Sequence, residues 1–351
     1  MKIKRPTPRE LGYRFPAEFE PHAATWLSWP HKEASWPGKI QTIYTSYCAF
    51  IKAVSEKEFV HINVNDSKMQ AFAQNKLEEY SADLDRIRFF IHPTNDAWCR
   101  DHGPAFLINP SAAQPKVIVD WDYNAWGNKY PPFELDDQIP TLIAADYNIP
   151  VIYPQIIMEG GSVDFNGKGT LITSESCLLN KNRNPHLNQS EIEECLSAYY
   201  GVDQVLWVKD GIVGDDTDGH IDDTVRFVNA DTVIAAVEEK RSDENYKLLR
   251  QNLRELSTMR LADGKQLNII ELPMPDKIIF EEQRLPASYA NFYIANALVV
   301  VPTYRSPKDE KAIRIIQEAF PNRQVIGIDS TDIIWGLGSF HCLSQQEPLV
   351  R

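Results

Sequence analysis

A recurring order of secondary structure constrains this chain more than any single motif. From residue 161 a strand-like run (161–165) meets a Gly-containing turn (166–169), and a return strand (170–173), a helix (190–200) and a further strand (204–208) follow. The same order appears from His220, with a strand at 224–228, a turn at 229–231, a return strand at Thr232–Val237, a helix at 243–256 and a strand at 267–272. It appears again between residues 288 and 328. The units recur at roughly 50–70-residue spacing with negligible identity between them, so the repeat is one of structure. One such unit cannot bury both faces of a ribbon and a helix by itself. Packing about a common axis would bury them, with the polar strand starts turned to the axis. The expectation is an α/β chain of about five units, the first and last completing one another, in a single domain over 1–351.

The N-terminal third fits this alternation. Runs rich in Val, Ile and aromatics predict strands at Phe59–Val64, 88–92 and 117–120, and later at 298–302 and 324–328. Apolar residues spaced i, i+3, i+4 predict helices at 40–56, 67–83 and 307–320.

Charge and cysteine usage exclude several function classes. The chain carries 36 Lys and Arg against 49 Asp and Glu, a net −13, which argues against nucleic-acid binding. The basic N-terminus has no apolar segment behind it, and the longest apolar run, near Ala297, is far short of a membrane span. Five scattered cysteines without a CxxC pair read as reduced thiols in a cytoplasmic protein. Phosphate-loop, dinucleotide and nucleophile-elbow signatures all fail on spacing. A homo-oligomer is compatible with the sequence, which does not set the oligomeric state.

Polar residues gather at the predicted strand starts: Asp96, Arg100 and Asp101; Glu159 before Gly160 and Gly161; the acidic run 214–223 around His220; and His341 with Cys342. Aligned as a calcium loop, the acidic run puts Gly214 and Val225 at ligand positions, so that assignment fails. An oxygen-ligated metal, a solvated loop and an organic cation remain, and the organic cation is favoured because packed carboxylates call for a positive partner. Asp218 and Asp222 flank His220 and would raise its pKa. Arg100 and Asp101 read as a buried ion pair. Cys48, Cys177 and Cys195 read as buried apolar side chains; Cys342, after a Gly-rich bend and beside His341, is the candidate for chemistry.

Six segments together resemble the agmatine deiminases and their peptidylarginine-deiminase-like relatives. These are Asp96-Ala97-Trp98 with Arg100, Asp101, Gly103 and Pro104; Glu159-Gly160-Gly161; Asn182-Arg183-Asn184-Pro185; Asp218-Gly219-His220-Ile221-Asp222; Ser288-Tyr289 with Asn291 and Phe292; and His341-Cys342 with Gln345, Gln346 and Pro348. The resemblance implies a five-unit α/β propeller with the active site on its axis. It implies Cys342 as nucleophile, His220 as general acid and base, Asp96 and Asp222 as holders of a guanidinium, and Glu159 as support for the substrate and His220. Arg100, Asp101 and Asp218 would stand behind them. No metal or organic cofactor is implied, and the partner is a small cationic guanidine. The glycine-rich segment before the cysteine departs from the family at Leu337 and Ser339. That leaves agmatine, arginine and peptidyl-arginine as substrates, and amidino transfer to an amine as a second covalent chemistry. A cysteine protease fits less well, since Asp96 and Asp222 would repel an oxyanion. A silent cation-binding protein would leave Cys342 and His220 without a purpose.

Overall fold

The computed structural model describes residues 6–350. Five sheets share one design: an antiparallel pair followed, through a helix, by a strand parallel to the second member. Ala105–Ile108, Lys116–Val119 and Val151–Ile152 form one such sheet, with the helix Ile139–Tyr147 in the crossover. Val163–Phe165, Thr170–Ser174 and Gln204–Val208 form the next, crossing through Gln189–Tyr200. Val225–Phe227, Thr232–Val237 and Asn268–Pro273 repeat it around Asn245–Thr258. Tyr293–Ile294, Leu298–Thr303 and Gln324–Asp329 repeat it around Asp309–Ala319.

The fifth sheet joins the two ends of the chain. The last strand, Ser344–Pro348, lies antiparallel to the first, His22–Ser28, which pairs in parallel with Phe59–Val64 across the helix Ile40–Ser55. Ile87–Ile91 adds a fourth strand. Among the described residues no sheet closes on itself, and no helix is long and apolar enough to cross a membrane.

The helices form for ordinary reasons. Gln189–Tyr200 opens on a reciprocal cap between Asn188 and Glu191 and ends on Gly201 at φ 72°. It buries Ile192, Leu196 and Tyr200, one stripe at three- and four-residue spacing. The expected helix over 67–83 stops at Glu79, because Ser81 turns left-handed at φ 56°.

One expected strand start is a tight 3₁₀ turn instead, Gly160–Ser162 ahead of Val163–Phe165, and a like turn, Ile221–Asp223, precedes Val225–Phe227, which falls within the strand expected at 224–228. A ladder alternates its side chains between two faces. The turns gather Glu159, His220, Asp222 and Asp223 as buried side chains just ahead of the strands.

Candidate active site

Cys342 lies at the wall of a cavity of about 220 Å³, which Asp96, Trp98, Trp126, Asp216 and Leu337 also line. Its Sγ is 2.9 Å from Asn291 Nδ2 and 3.6 Å from Asp222 Oδ2. Gly338 makes this packing feasible, since a Cβ there would sit 2.6 Å from Trp98 and 3.2 Å from Sγ. Leu337, where the family pattern has glycine, is left-handed at φ 70° and packs against the apolar cluster that holds Phe292 and Ile334.

Asp222 is fixed from behind. His341 Nδ1 meets its Oδ2 at 2.6 Å, while His341 Nε2 meets Glu18 Oε2 at 2.8 Å. Its two ring nitrogens thus face one carboxylate each. Burial opposes ionisation of Asp222, but the bond from His341 and the charges around it hold its pKa below the usual carboxylate range. Oδ1 of the same carboxylate is buried without a hydrogen-bond partner.

Glu18 is the hub beneath the site. It accepts from Arg100 Nη2 at 2.9 Å, from Arg226 Nη2 at 2.9 Å and from the backbone N–H of Ile294 at 2.8 Å. Burial disfavours its charge, yet Arg226, His341 and Arg100 together hold its pKa well below normal. The expected Arg100–Asp101 pair does not form. Arg100 turns to Glu18 and to Gln346 Oε1. Asp101 accepts from Trp126 Nε1 and from Gly161 N, each at 2.9 Å. The two residues are adjacent on one short helical turn, which sends their side chains to different partners.

Asp101 is instead the charge that faces His220, its Oδ1 3.7 Å from Nδ1. Burial of His220 opposes its protonation; Asp101, the Cys177 thiol and Asp222 overcome that and raise its pKa well above the ordinary value. Burial also pushes Asp101 up to about 6, so the pair retains a proton between them. Asp218, expected to act on His220, turns to Lys129, Asn182 and Arg183. Gly161 is required at this junction. A Cβ there would lie 2.6 Å from His220 Nδ1, 2.8 Å from Asp101 Oδ1 and 3.1 Å from Asp222 Oδ2.

Glu159 is held by Arg183 Nε at 2.8 Å on Oε1, which leaves Oε2 buried and unpartnered. Asp96, at the cavity, accepts from Ser35 Oγ at 2.6 Å and lies 3.3 Å from Lys32 Nζ. The site thus unites Asp101, Asp222, His220 and Cys342, with Glu159 beside His220 and Asp96 at the cavity. Glu18, Lys32 and Cys177 carry no signal of their own in the sequence, and Asn291 shows only as part of a resembling segment. Cys177 is buried in an apolar cluster as expected, and it also lies against His220 and Glu159.

Burial, then Asp222, Asp223 and Asp101, raise the Cys342 pKa well above that of a free thiol. The Cys342 thiol is therefore neutral at rest. All five cysteines are free.

A planar cation fits carboxylates arranged in this way, and a thiol beside them can attack its central carbon. Comparison with known proteins places this geometry in a family. The profile of the Porphyromonas-type peptidyl-arginine deiminases matches residues 14–348. The chain belongs to that family. It is similar to the agmatine deiminase of Ectopseudomonas mendocina, at 35% identity over 97% of both chains. It is also similar to the solved agmatine deiminase of Enterococcus faecalis, at 31% identity, 99% coverage of both chains and a TM-score of 0.91. A Cys-to-Ser agmatine deiminase from C. jejuni, solved with substrate bound, matches at 34% identity, with 95% of this chain and 96% of that one covered and a TM-score of 0.86.

Proposed function

We propose that the protein is an agmatine deiminase, converting the guanidino group of agmatine to a ureido group with release of ammonia. The observation that carries this is the Cys342 thiol, 3.6 Å from a fixed Asp222 and on one cavity wall with Asp96. The full-length similarity to agmatine deiminases supports it.

The substrate guanidinium lies between Asp96 and Asp222 as a multiply hydrogen-bonded cation. To reach Asp96 it displaces Lys32. Its charge offsets the carboxylates that hold Cys342 neutral, and the thiol proton leaves to solvent. The thiolate attacks the guanidinium carbon. His220, protonated beside Asp101, gives its proton to the departing nitrogen, and ammonia leaves from a Cys342 thiouronium. Neutral His220 then takes a proton from water as the oxygen attacks the same carbon. Collapse expels the Cys342 sulfur, which takes up the adduct's hydroxyl proton as the ureido carbonyl forms, and ammonia leaves overall as ammonium with the proton first released by the thiol. Asn291 holds the sulfur, and Glu159 supports substrate and His220.

The five like sheets support a pseudo-symmetric arrangement of five units about an axis, with this site on it and 1–351 as one catalytic domain. Steady-state ammonia release from agmatine, free arginine and an arginyl peptide tests the reading. Turnover of agmatine is expected, and activity confined to arginine or to peptides would overturn it.

A further inference from the structure

The mechanism gives no task to the thiol of Cys177. This side chain is buried at the turn Glu175–Leu178, and its sulfur, one ring nitrogen of His220 and one oxygen of Glu159 all lie within 4.8 Å of one another. Three polar atoms of the cluster, Glu159 Oε2 and both ring nitrogens of His220, are buried without hydrogen-bond partners. Thiolate, imidazole and carboxylate together form a donor set that suits a borderline-soft divalent ion, with room in tetrahedral geometry for a fourth ligand such as water.

We propose that Cys177, His220 and Glu159 form an inhibitory site for Zn²⁺. The ion forms dative bonds to Cys177 Sγ, one His220 nitrogen and Glu159 Oε2, and the thiol proton and the proton that His220 carries on that nitrogen are both released to solvent. The ligand atoms close from within 4.8 Å to the roughly 3.5 Å that a tetrahedral zinc shell requires. The charge is favourable. Among the described residues Arg183, bound to Glu159 Oε1, is the one Lys or Arg bonded to the cluster, against the carboxylates of Glu159 and of Asp101 and Asp222 beside His220. The metal takes the nitrogen lone pair that the mechanism needs for proton transfer. It is thus a brake on a reaction that itself uses no metal. The inhibition rests on the role assigned to His220 above; the binding does not.

The test separates the two. Cys342→Ser removes the other thiol of the site, and this protein is titrated with Zn²⁺ alone by calorimetry. One equivalent is expected to bind, and the Cys342→Ser, Cys177→Ser double variant should bind at least ~10-fold more weakly. No binding, or equal binding by the double variant, overturns the proposal. Co²⁺ gives a readout that needs no change at Cys177. Cys342→Ser loaded with Co²⁺ should show a thiolate-to-metal charge-transfer band, and its absence also overturns the site. In wild type, Zn²⁺ should suppress ammonia release and a chelator should restore it. Binding without suppression would leave the metal site standing and remove the acid–base role of His220.

Discussion

Cys342 is buried among carboxylates, and its pH behaviour follows from that. Its pKa is raised in the free protein, so iodoacetamide should alkylate it slowly near neutrality. The rate should keep rising beyond pH 9, with no plateau at an ordinary thiol pKa of about 8.5. A plateau near pH 8 would show a thiolate already present without substrate. Cys342→Ala should lower turnover by at least ~10³-fold, because among the described residues no other cysteine lines the cavity, while leaving agmatine binding measurable by calorimetry. Turnover like that of wild type would dismiss the covalent route. These residues differ in how legible they are. Cys342, His220 and Asp222 stand out because each sits in a polar cluster at the end of an apolar run. Glu18 does not, since its partners Arg100, Arg226 and His341 lie far along the chain and only the fold brings them together. For the same reason Asp101 shows itself as a partner of His220 only in three dimensions.

The tight turns ahead of the strands convert sequence neighbours into a site. Gly161→Ala would place a methyl against His220, Asp101 and Asp222 at once. A displacement of even ~1 Å at reacting groups is worth about 10²-fold in rate, so kcat should fall by that order while circular dichroism shows the fold retained. A near-normal kcat would mean that this convergence is not catalytic. The 3₁₀ segment Asp136–Gln138 carries a different liability. Asp136 accepts the backbone N–H groups of Asn95 at 2.7 Å and Asp96 at 3.2 Å, and burial pushes its pKa up to about 8. A carboxyl with a raised folded pKa binds more protons folded than unfolded. Its penalty is absent below the unfolded value of about 3.9, grows as pH rises, and is complete above the folded value. Asp136→Asn keeps the acceptor and removes the charge. It should raise Tm by roughly 2 °C or more at pH 9 and give no gain at pH 4. Equal shifts at both pH values would show that Asp136 does not titrate as placed. At this scale the sequence is informative where local forces decide. The apolar runs Phe59–Val64 and Thr232–Val237 begin and end where turn-forming or charged residues bound them. It is less so where side chains compete with the backbone. The helix expected over 243–256 begins at Asn245, since Asp243 is engaged by Arg284 and the Asn245 N–H.

For the molecule as a whole, the repeated order of elements makes the five sheets legible, because strand, turn, strand, helix, strand is written in local periodicity. The pairing of the last strand with the first follows only from closing the set. Substrate choice belongs to this scale too, since distant loops furnish the cavity wall. The carboxylates of Asp96, Asp101 and Asp216 line it, and the one lining cation among the described residues, Lys32, lies 3.3 Å from Asp96. Asp216 is bonded to the exposed Tyr130, which marks the cavity mouth. Burial and the neighbouring Asp215 raise the Asp216 pKa, so an incoming ammonium gains by restoring its charge. Agmatine ends in such an ammonium. Free arginine would bring an additional carboxylate to the same wall, at a penalty of several kcal/mol when it is buried without a partner. Agmatine should therefore exceed arginine by ~10²-fold or more in kcat/KM, each factor of ten being about 1.4 kcal/mol. Asp216→Asn should shrink that ratio, chiefly through the KM for agmatine, and leave its kcat close to wild type because the proposed chemistry lies at Cys342. A ratio near one in wild type would mean that the wall does not choose between the two. A ratio untouched by Asp216→Asn would move the recognition of the ammonium elsewhere on the cavity.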